Sequence, residues 1–460
     1  MPETLIGGRT PRIDAWDKVL GTALYPGDRQ MAGALHGAVV FSERAHARVI
    51  SIDTSAASIY AGVVAVLTHR DVPCNEFGIN VHDQPVLAEG KVRSVGDPVA
   101  LVYAETEQAA RAASRLVTVA YEDLPGVFDP REARKEGATL VHDERPDNTY
   151  RAIHVRKGDV AAAFARADVI VEGYYTTPFE EHAYLQPEAG LAYLDDDGRI
   201  VIHVASQWPQ DDLHQIAHAL KLPQERIKEI VGPIGGAFGG REDISIQIIL
   251  ALGAHLLKRP VRLVYSRGDS VRGHGKRHPF YMTYRTGAMR DGRLMAQEIE
   301  LIADAGAYAS TSGPVISNAV SFATGPYITP HVKIDGYAVY TNNPLTMAFR
   351  GFGANQPCIA YELQMEKLAA ALNMDPVELR LKNVLVDGAE GPLGGPLPGG
   401  VGMQETLEKA ALAAGWRRVG QHWMAPRVAA PSAPYRRRGV GVACSWKNSG
   451  YSFGFDDKST

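Results

Sequence analysis

The chain has few cysteines and no long hydrophobic run, and both shortages limit what it can be. Its 460 residues include three cysteines, Cys74, Cys358 and Cys444, which lie far apart. Such an odd, scattered set does not build a disulfide framework or ligate an iron–sulfur cluster, and it favours the cytoplasm. No run reaches about 18 apolar residues, and no apolar leader follows Met1, so the sequence predicts neither a membrane span nor a signal peptide.

An excess of charge of either sign is also lacking. Lys and Arg total 48 against 52 Asp and Glu, which gives a formal net charge of −4. This balance gives no reason to expect nucleic acid or an anionic membrane as a partner, and it favours a small or neutral ligand. With 45% hydrophobic and 22% charged residues, the composition is globular, and the length suggests about two to four domains.

The order of predicted elements favours a mixed α+β fold. Strand-like runs at 34–41, 63–68 and 98–103 precede a helix over 107–116, for which Thr106 is a suitable N-cap. The stretch 123–139 is rich in proline and charge and predicts a linker, and a second block of strands starts near residue 168. Further on, the patterns predict helices over 355–372 and after the Asp375–Pro376 pair, and a strand over 439–446.

The most informative stretch is a glycine cluster at 232–243, between a predicted strand at 227–231 and a predicted helix at 244–257. Four glycines around Phe238 allow close approach of a backbone to a ligand, as in an anion-binding nest at a helix start. The spacing fits no dinucleotide fingerprint, and Arg241 and Glu242 stand where a P-loop has Lys and Ser or Thr. Glu242 is therefore expected to accept a ligand N–H or act as an acid or base, unless the stretch is a tight turn with Glu242 in a salt bridge.

Two further stretches are candidates for ligand contact. In 348–356, Arg350 lies between two aromatic residues and glycines, so it could pair with an anion beside a stacking ring; a packed aromatic turn is the alternative. Gln207 lies between a strand and a helix, where its amide could donate to an oxo or carbonyl group; it could also be an ordinary surface residue.

The histidines and serines give no comparable signal. His182 has no second His or Cys at a ligand spacing, which disfavours a metal bound directly by the protein. His274 and His278 are separated by Gly275 and followed by Pro279, which predicts a solvated basic loop. No nucleophile elbow is present, so hydrolysis has no support.

Taken together and in order, these motifs resemble the molybdenum-cofactor-binding subunit of the xanthine dehydrogenase and aldehyde oxidase family, the molybdenum hydroxylases, along essentially the whole chain. The stretches that carry the resemblance are 95–100, 121–125, 181–189, 235–242, 273–279, 340–344 and 348–353. The resemblance implies an α/β-hammerhead domain at 1–130, a linker at 131–150 and a first molybdopterin-binding domain at 151–435. It also implies that 436–460 begin a second such domain, which a partner chain completes unless the chain is truncated.

The resemblance also assigns roles near the cofactor and the substrate. The pterin dithiolene would hold the metal, with no direct protein ligand. Gln207 and Phe238 would lie beside the metal's ligands, and Glu242 would orient the substrate as the catalytic carboxylate. The remaining cofactor contacts would come from Gly236, Ala237, Gly239 and Arg350, and the remaining substrate contacts from Phe352, Arg350 and Asn318.

Two positions narrow the implied chemistry. Asn318 stands where purine-oxidising members are expected to carry an arginine, which argues against xanthine, and Gly351 stands where carbon monoxide dehydrogenases carry a copper-binding cysteine. The implied function is hydroxylation of a purine- or pyridine-like N-heteroaromatic compound with water as the oxygen source. An aldehyde oxidoreductase and a catalytically silent scaffold are the alternatives. The implied cofactor is molybdopterin in its cytosine dinucleotide form, and 2Fe–2S and FAD subunits are the further expected partners.

Overall fold

The chain folds into two compact units in the computed structural model, which describes residues 7–8, 11–397, 399–428, 433 and 435–447. Unit 1 combines the residues up to Leu124 with His182–His274, and unit 2 combines Pro125–Glu181 with the residues from Gly275 onward. The units differ from the predicted division at 130 and 150 because strands far apart in sequence pair with each other. The family-based domain boundaries stay a prediction.

Strands and helices are distributed over both units. Among the described residues the strands are β1 (Leu35–Phe41), β2 (Ala47–Asp53), β3 (Val63–Leu67), β4 (Lys91–Val92), β5 (Pro98–Ala104), β6 (Thr118–Asp123), β7 (Thr149–Lys157), β8 (Val169–Thr177), β9 (Ala189–Leu194), β10 (Ile200–Val204), β11 (Ile227–Val231), β12 (Val261–Val264), β13 (Phe280–Ala288), β14 (Leu294–Gly306), β15 (His331–Tyr340), β16 (Arg417–Val419) and β17 (His422–Met424). The α-helices of the same residues are α1 (Ala15–Leu20), α2 (Ser55–Ser58), α3 (Glu107–Ser114), α4 (Pro130–Ala133), α5 (Val160–Arg166), α6 (Pro209–Leu220), α7 (Gln247–Leu257), α8 (Arg267–Gly273), α9 (Ser312–Phe322), α10 (Asn355–Leu372), α11 (Pro376–Asn383) and α12 (Met403–Ala413). Short 3-10 turns lie at Pro26–Asp28, His69–Asp71 and Gln224–Arg226.

The predicted helix starts are confirmed by their caps. The Thr106 side chain accepts the N–H of Ala109 at the start of α3. The Asp375 side chain likewise accepts the N–H of Val377, with Pro376 in the first turn of α11. In the part of the chain that the structure describes, no helix has the length and apolar character needed to cross a membrane.

Unit 1 is built on a seven-stranded mixed sheet in the order β11-β10-β9-β12-β1-β5-β3, beside a three-stranded sheet, β4-β2-β6. β1 pairs in parallel with β12, with Leu35 opposite Val261, so that segments more than two hundred residues apart share one sheet. The apolar helix α7 packs on this sheet, where the Tyr103 hydroxyl donates to the Ile249 carbonyl at 2.6 Å. A Cβ on Gly253 would lie 2.5 Å from the Tyr103 ring, so only glycine permits this packing.

Unit 2 is built on a five-stranded sheet in the order β7-β15-β14-β13-β8 and a short hairpin, β16-β17. Helix α9 packs on β15 and β7, whereas α10 packs on β8 and β13. The buried side chains of these strands and helices form the core of the unit. The two helices support the stretch 348–356, which immediately precedes and begins α10.

The stretch predicted as a linker is a packed part of unit 2. It contains α4, and the fully buried Asn148 side chain accepts the N–H of Val141 at 2.9 Å. Its amide donates to the carbonyls of Ala133 and Thr139, both at 2.9 Å. One buried asparagine thus orders a segment whose proline and charge content predicted a linker.

The strand predicted over 439–446 is wrong, since residues 436–447 form neither strand nor helix. The rest of the predicted second-domain start, 448–460, lies outside the described residues.

Candidate functional site

Gln207 and the glycine cluster meet at one edge of the unit 1 sheet. β10 and β11 are parallel neighbours, so their carboxyl ends deliver Gln207 and the segment 232–242, here called the glycine loop, to the same edge. The Gln207 N–H donates to the Arg241 carbonyl at 2.8 Å. The Gln207 side-chain oxygen Oε1 accepts the N–H groups of Gly239 at 3.1 Å and Arg241 at 3.3 Å.

These contacts decide which end of the Gln207 side chain can meet a ligand. Two loop N–H groups occupy its oxygen, and the side chain is exposed. No hydrogen bond to its Nε2 group is found among the described residues. The amide NH₂ is therefore the end that can donate to a ligand oxygen.

The backbone of the glycine loop is left-handed at three positions. Gly236 has φ +106°, Gly239 has φ +99°, and Phe238 between them has φ +56°. A non-glycine residue in this region is strained by about 1 to 2 kcal/mol. The Phe238 side chain is nevertheless 47% exposed. Burial of the Phe238 ring is therefore too small to explain why the chain keeps a strained residue at this position. The loop instead presents the ring partly to solvent.

The other side of the loop rests on Gln186, Arg241 and Tyr184. The Gly235 N–H donates to Gln186 Oε1 at 2.8 Å. The Arg241 guanidinium donates to the carbonyls of Gly236 at 3.0 Å and Gln186 at 2.6 Å, and it lies over the Tyr184 ring, 4.3 Å from its centroid. These contacts hold the backbone of the loop in place, while the Phe238 ring remains partly exposed.

A buried polar chain extends this support. His274 Nε2 bonds the Gly240 carbonyl at 2.6 Å and lies 3.9 Å from the Glu188 carboxylate, to which the Tyr184 hydroxyl donates. Burial by itself raises the pKa of Glu188, but His274 and the Tyr184 hydroxyl outweigh it and hold the pKa below its ordinary value. A Cβ on Gly240 would lie 2.9 Å from the rings of His182 and His274. Both histidines therefore act here as packing and hydrogen-bonding groups beneath the loop.

Sequence reasoning missed this support, although Gln186, Glu188 and Arg241 stand inside motifs that it singled out. The sequence does offer one indication of this support, because the polar residues Gln186, Glu188 and Arg241 lie in motifs that include or accompany the glycine cluster. Patterns along the chain do not show which carbonyl a buried arginine reaches. The predicted helix over 244–257 begins later than expected, because α7 starts at Gln247, seven residues after Gly240.

Glu242 carries the strongest electrostatic signal in the loop. Its side chain is half-buried, and burial, with a smaller contribution from the adjacent Asp243, raises the pKa of the Glu242 carboxyl to about 8. Neither a salt bridge nor a side-chain hydrogen bond to this carboxyl is found among the described residues, which contradicts the alternative of a salt-bridged turn. Glu242 is therefore mainly protonated at neutral pH, so it offers both an O–H donor and a carbonyl acceptor.

Unit 2 holds the other predicted residues in the turn 350–353, here called the aromatic turn. Gly351 has φ +98°, Phe352 has φ +49° and Gly353 has φ +89°. The turn is closed by hydrogen bonds from the Phe352 N–H to the Phe349 carbonyl at 2.7 Å and from the Ala354 N–H to the Gly351 carbonyl at 3.0 Å. Arg350 is exposed, whereas Phe352 is half-buried and packs against the unit 2 core.

Asn318 lies on α9 directly behind this turn. Its side chain is only 1% exposed, and its Nδ2 donates to the Phe352 carbonyl at 2.9 Å. Its buried Oδ1 has no hydrogen-bond partner among the described residues. The structure therefore brings Asn318 and Phe352 together, and Asn318 positions the backbone of the turn.

The segment 274–278 corrects the prediction of a solvated basic loop. Lys276 pairs with Glu181 at 2.5 Å, and Arg277 pairs with Glu180 at 2.5 Å while lying 3.8 Å from the centroid of the Phe349 ring. His278 is buried and bonds Ser312 at 2.8 Å, and burial lowers the pKa of His278 to about 3. Pairing with acidic and aromatic partners allows basic residues to lie inside the fold, and local composition does not reveal those partners.

Comparison with known proteins identifies the family. Residues 20–125 match the a/b hammerhead domain of aldehyde oxidase and xanthine dehydrogenase, and residues 141–384 match the molybdopterin cofactor-binding domain. The chain belongs to the xanthine dehydrogenase and aldehyde oxidase family, the molybdenum hydroxylases, which are oxidoreductases. Within that family it is a molybdopterin-binding chain. The predicted family and fold class are thereby confirmed.

Three relatives show how far the similarity extends. The nicotinate dehydrogenase large molybdopterin subunit of Eubacterium barkeri is 40% identical over 88% of this chain and 95% of its own length. A probable xanthine dehydrogenase subunit of Bacillus subtilis is 36% identical over 96% of this chain and 58% of its own length. The structure of aldehyde oxidoreductase from Desulfovibrio gigas aligns with a TM-score of 0.84 and 34% identity, covering 88% of this chain and 46% of that one. The chain thus matches one relative almost end to end and about half the length of the other two.

The residues of the glycine loop suit a molybdenum cofactor whose metal is held by the pterin. Gly236, Ala237, Phe238 and Gly239 offer neither thiolate nor imidazole to a metal. The loop offers a close backbone approach, and Gln207 offers an amide donor toward a ligand oxygen. The donor set therefore fits a prosthetic group that brings its own metal ligands.

Proposed function

We propose that the chain binds a molybdenum cofactor at the glycine loop and takes part in hydroxylating an N-heteroaromatic substrate with water as the oxygen source. The observation that carries the proposal is the Glu242 carboxyl, whose pKa is raised to about 8 and which has no ion-pair partner among the described residues. A protonated carboxyl beside a cofactor-binding loop is suited to a ring that has both N–H and unprotonated nitrogen.

The physical reason lies in hydrogen-bond matching. A neutral carboxyl can donate to a ring nitrogen and accept from a ring N–H or hydroxyl, whereas a carboxylate can only accept. As a ring carbon is attacked, negative charge moves onto the ring nitrogen, and a proton donor at that atom stabilises it. We therefore assign Glu242 to substrate binding and to holding the proton that the ring nitrogen attracts.

The cofactor, when bound, supplies the two-electron oxidation and the oxygen transfer from water. In this proposal Gln207 and the backbone of Gly236–Gly239 would hold the cofactor, with the Gln207 amide NH₂ as the hydrogen-bond donor toward it. We further propose the cytosine dinucleotide form of the cofactor. Arg350, exposed at the aromatic turn of unit 2, is a candidate for an anionic group of the cofactor or substrate.

Unit 2 supplies two further assignments. Phe352 is proposed to stack on the substrate ring through the part of its side chain that the core leaves open. Asn318 Oδ1, buried without a described partner, is proposed to accept a hydrogen bond from a substrate or from ordered water. Both assignments rest on the family resemblance and stay predictions.

The proposed partners are a second molybdopterin-domain chain, a 2Fe–2S subunit and an FAD subunit. Support comes from the Eubacterium barkeri relative, which is named a large molybdopterin subunit and has nearly the same extent as this chain. Purification from the native cell, with metal analysis and identification of each co-purifying polypeptide, tests this. A molybdenum-free chain that co-purifies with none of these subunits would contradict both the cofactor and the partner assignments.

An aldehyde oxidoreductase is the second candidate, favoured by the structural similarity to the Desulfovibrio gigas enzyme. In that case Glu242 has little part in holding the substrate, because a simple aldehyde has no ring nitrogen. A screen that compares aldehydes with pyridines and purines separates the two candidates. A silent scaffold would turn over none of them.

The sharpest test of the Glu242 assignment is Glu242→Gln. The amide keeps the shape of the side chain but cannot pass a proton to the ring, so kcat/KM for the heterocycle should fall by about 100-fold or more. Molybdenum content per chain should remain unchanged. Glu225→Gln, at an exposed position of the same unit, is the matched control and should leave both values unchanged. Unaltered kinetics of Glu242→Gln would show that Glu242 does not take part in binding or protonating the substrate.

A further inference from the structure

A second group of potential ligands lies in unit 1, on elements that take no part in the glycine loop. Cys74 and Glu76 follow the 3-10 turn His69–Asp71, and His218 lies in the last turn of α6. Cys74 and His218 are half-buried, and Glu76 is exposed. The three side chains therefore meet at the surface, where an ion can enter.

The distances among the donor atoms are those of a metal site. Cys74 Sγ lies 3.3 Å from His218 Nε2, which lies 3.3 Å from a Glu76 carboxylate oxygen, and the donor atoms all lie within 4.8 Å of one another. Zinc binds sulfur at about 2.3 Å and nitrogen or oxygen at about 2.0 to 2.1 Å, so tetrahedral ligands are separated by about 3.3 to 3.6 Å. The two 3.3 Å separations lie in this range, and Cys74 and Glu76 are no more than 4.8 Å apart, so one ion fits between the three groups after a small side-chain movement.

The surrounding backbone holds this arrangement in place. The Cys74 N–H donates to the Ala219 carbonyl at 2.9 Å, which fixes the segment to the carboxyl end of α6. Beyond Glu76, Phe77 and Gln84 pair with each other and close a loop that carries His82. The His82 ring lies 4.2 Å from the His218 ring, centroid to centroid, so one side of the site is covered.

We propose that Cys74, Glu76 and His218 bind one zinc ion, which ties the loop at 72–84 to α6. A thiolate, an imidazole and a carboxylate together select zinc over magnesium or calcium, which prefer sites made only of oxygen. Three protein ligands leave a fourth position of the ion open to solvent. The site shares no residue with the glycine loop, so its zinc binding is independent of the proposed molybdenum chemistry.

The test uses the purified protein with whatever subunits co-purify. After chelation and dialysis against micromolar free zinc, the wild type should retain one more zinc per chain than Cys74→Ser or His218→Gln. Both variants should bind zinc more than about 100-fold more weakly, because even loss of an outer partner of a metal ligand costs up to that factor. Zinc X-ray absorption of the wild type should show one sulfur neighbour, which Cys74→Ser removes.

Controls keep the result interpretable. Cys358→Ser in unit 2 and His255→Gln in α7 replace the same residue types outside the group and should retain the zinc. Glu76→Gln changes an exposed side chain that the fold does not need, so it tests the site even if the other variants fold poorly. Equal zinc retention by wild type, Cys74→Ser and Glu76→Gln would overturn the proposal, and would leave only a thiol–imidazole hydrogen bond and a surface ion pair.

Discussion

The glycine loop of unit 1 and the aromatic turn of unit 2 share a left-handed backbone conformation but differ in how far they expose their phenylalanine. Each places a phenylalanine in the left-handed region, Phe238 at φ +56° and Phe352 at φ +49°, next to glycines with φ near +90° to +106°. Phe238 is 47% exposed, whereas Phe352 packs against the core of its unit. Similar sequence therefore produces a similar turn, but the support around it decides what the ring can touch.

The supports differ in kind. Side chains hold the glycine loop, since Gln186 and Gln207 accept N–H groups of the loop and Arg241 donates to one of its carbonyls. The aromatic turn rests on helix α9 itself, because Gly353 lies against the α9 backbone and Asn318 bonds the Phe352 carbonyl. A loop held by side chains can present its ring outward, whereas a turn held by a helix draws its ring toward the core.

The largest effect is expected from Gly353→Ala. The new Cβ would lie 2.1 Å from the Val315 carbonyl oxygen at a φ of +89°, so the turn or α9 must move. The free energy of unfolding should fall by about 3 kcal/mol or more, measured by urea denaturation. Gly388→Ala, at φ +75° with no atom within 4 Å of the new Cβ, carries only the backbone strain. Equal losses in both variants would show that contact with α9 does not fix the turn.

Of the two turns compared, only the glycine loop contains a carboxyl with a raised pKa, so a pH-dependent effect is expected there and not at the aromatic turn. The pKa of Glu242 is raised from 4.5 to about 8, so the folded protein holds a proton that the unfolded chain releases. The stability that this proton contributes is fully present below pH 4.5 and is lost as pH rises to about 8, with a slope near 1.4 kcal/mol per pH unit between these two values and a levelling above them. Urea denaturation across this range should show a shallower slope for Glu242→Gln than for the wild type. Parallel profiles would mean that Glu242 titrates normally.

A smaller loss is expected from Asn318→Ala. The substitution removes the hydrogen bond that the buried Asn318 amide donates to the Phe352 carbonyl, which costs about 1 to 3 kcal/mol. Ser317→Ala changes the neighbouring α9 residue, whose hydroxyl donates to the Gly313 carbonyl within the helix, and should cost less than about 1 kcal/mol. If Ser317→Ala lowers the melting temperature more than Asn318→Ala does, Asn318 is not the residue that positions the turn.

The smallest effect is expected from Phe238→Gly, and it makes the comparison direct. Glycine relieves the left-handed strain, which offsets the loss of a half-exposed ring, so stability should change by less than about 1 kcal/mol. Phe352→Gly gains the same relief but loses core packing, and should cost about 2 kcal/mol. Similar melting temperatures for the two variants would show that the rings are equivalent in the fold.

Much of the local structure is predictable because its causes are local. The Thr106 and Asp375 caps lie within a few residues of the helices that they start. The pairing of β1 with β12 has no such signal, because it joins segments with no pattern in common. The burial of 274–278 was missed for the same reason, since Glu180, Glu181 and Phe349 neutralise and cover it from elsewhere in the chain.

In the candidate site, too, the sequence indicates some residues, whereas other properties depend on the folded chain. Glu242, Gln207 and Phe238 could be selected from residue type and glycine spacing, helped by the family resemblance. The direction of the Gln207 amide could not, because it depends on which loop N–H groups reach Oε1. Nor could the raised pKa of Glu242, which results from burial by the folded chain.

The shared sheet of unit 1 also has a consequence during synthesis of the protein. β1 leaves the ribosome long before β12, its parallel neighbour, and at about 5 to 20 residues per second the interval is roughly 10 to 45 s. During that time one edge of β1 has no strand to pair with, and an unpaired edge invites association with other nascent chains. Folding of unit 1 in the cell is therefore expected to depend on translation speed and on chaperones that cover this edge.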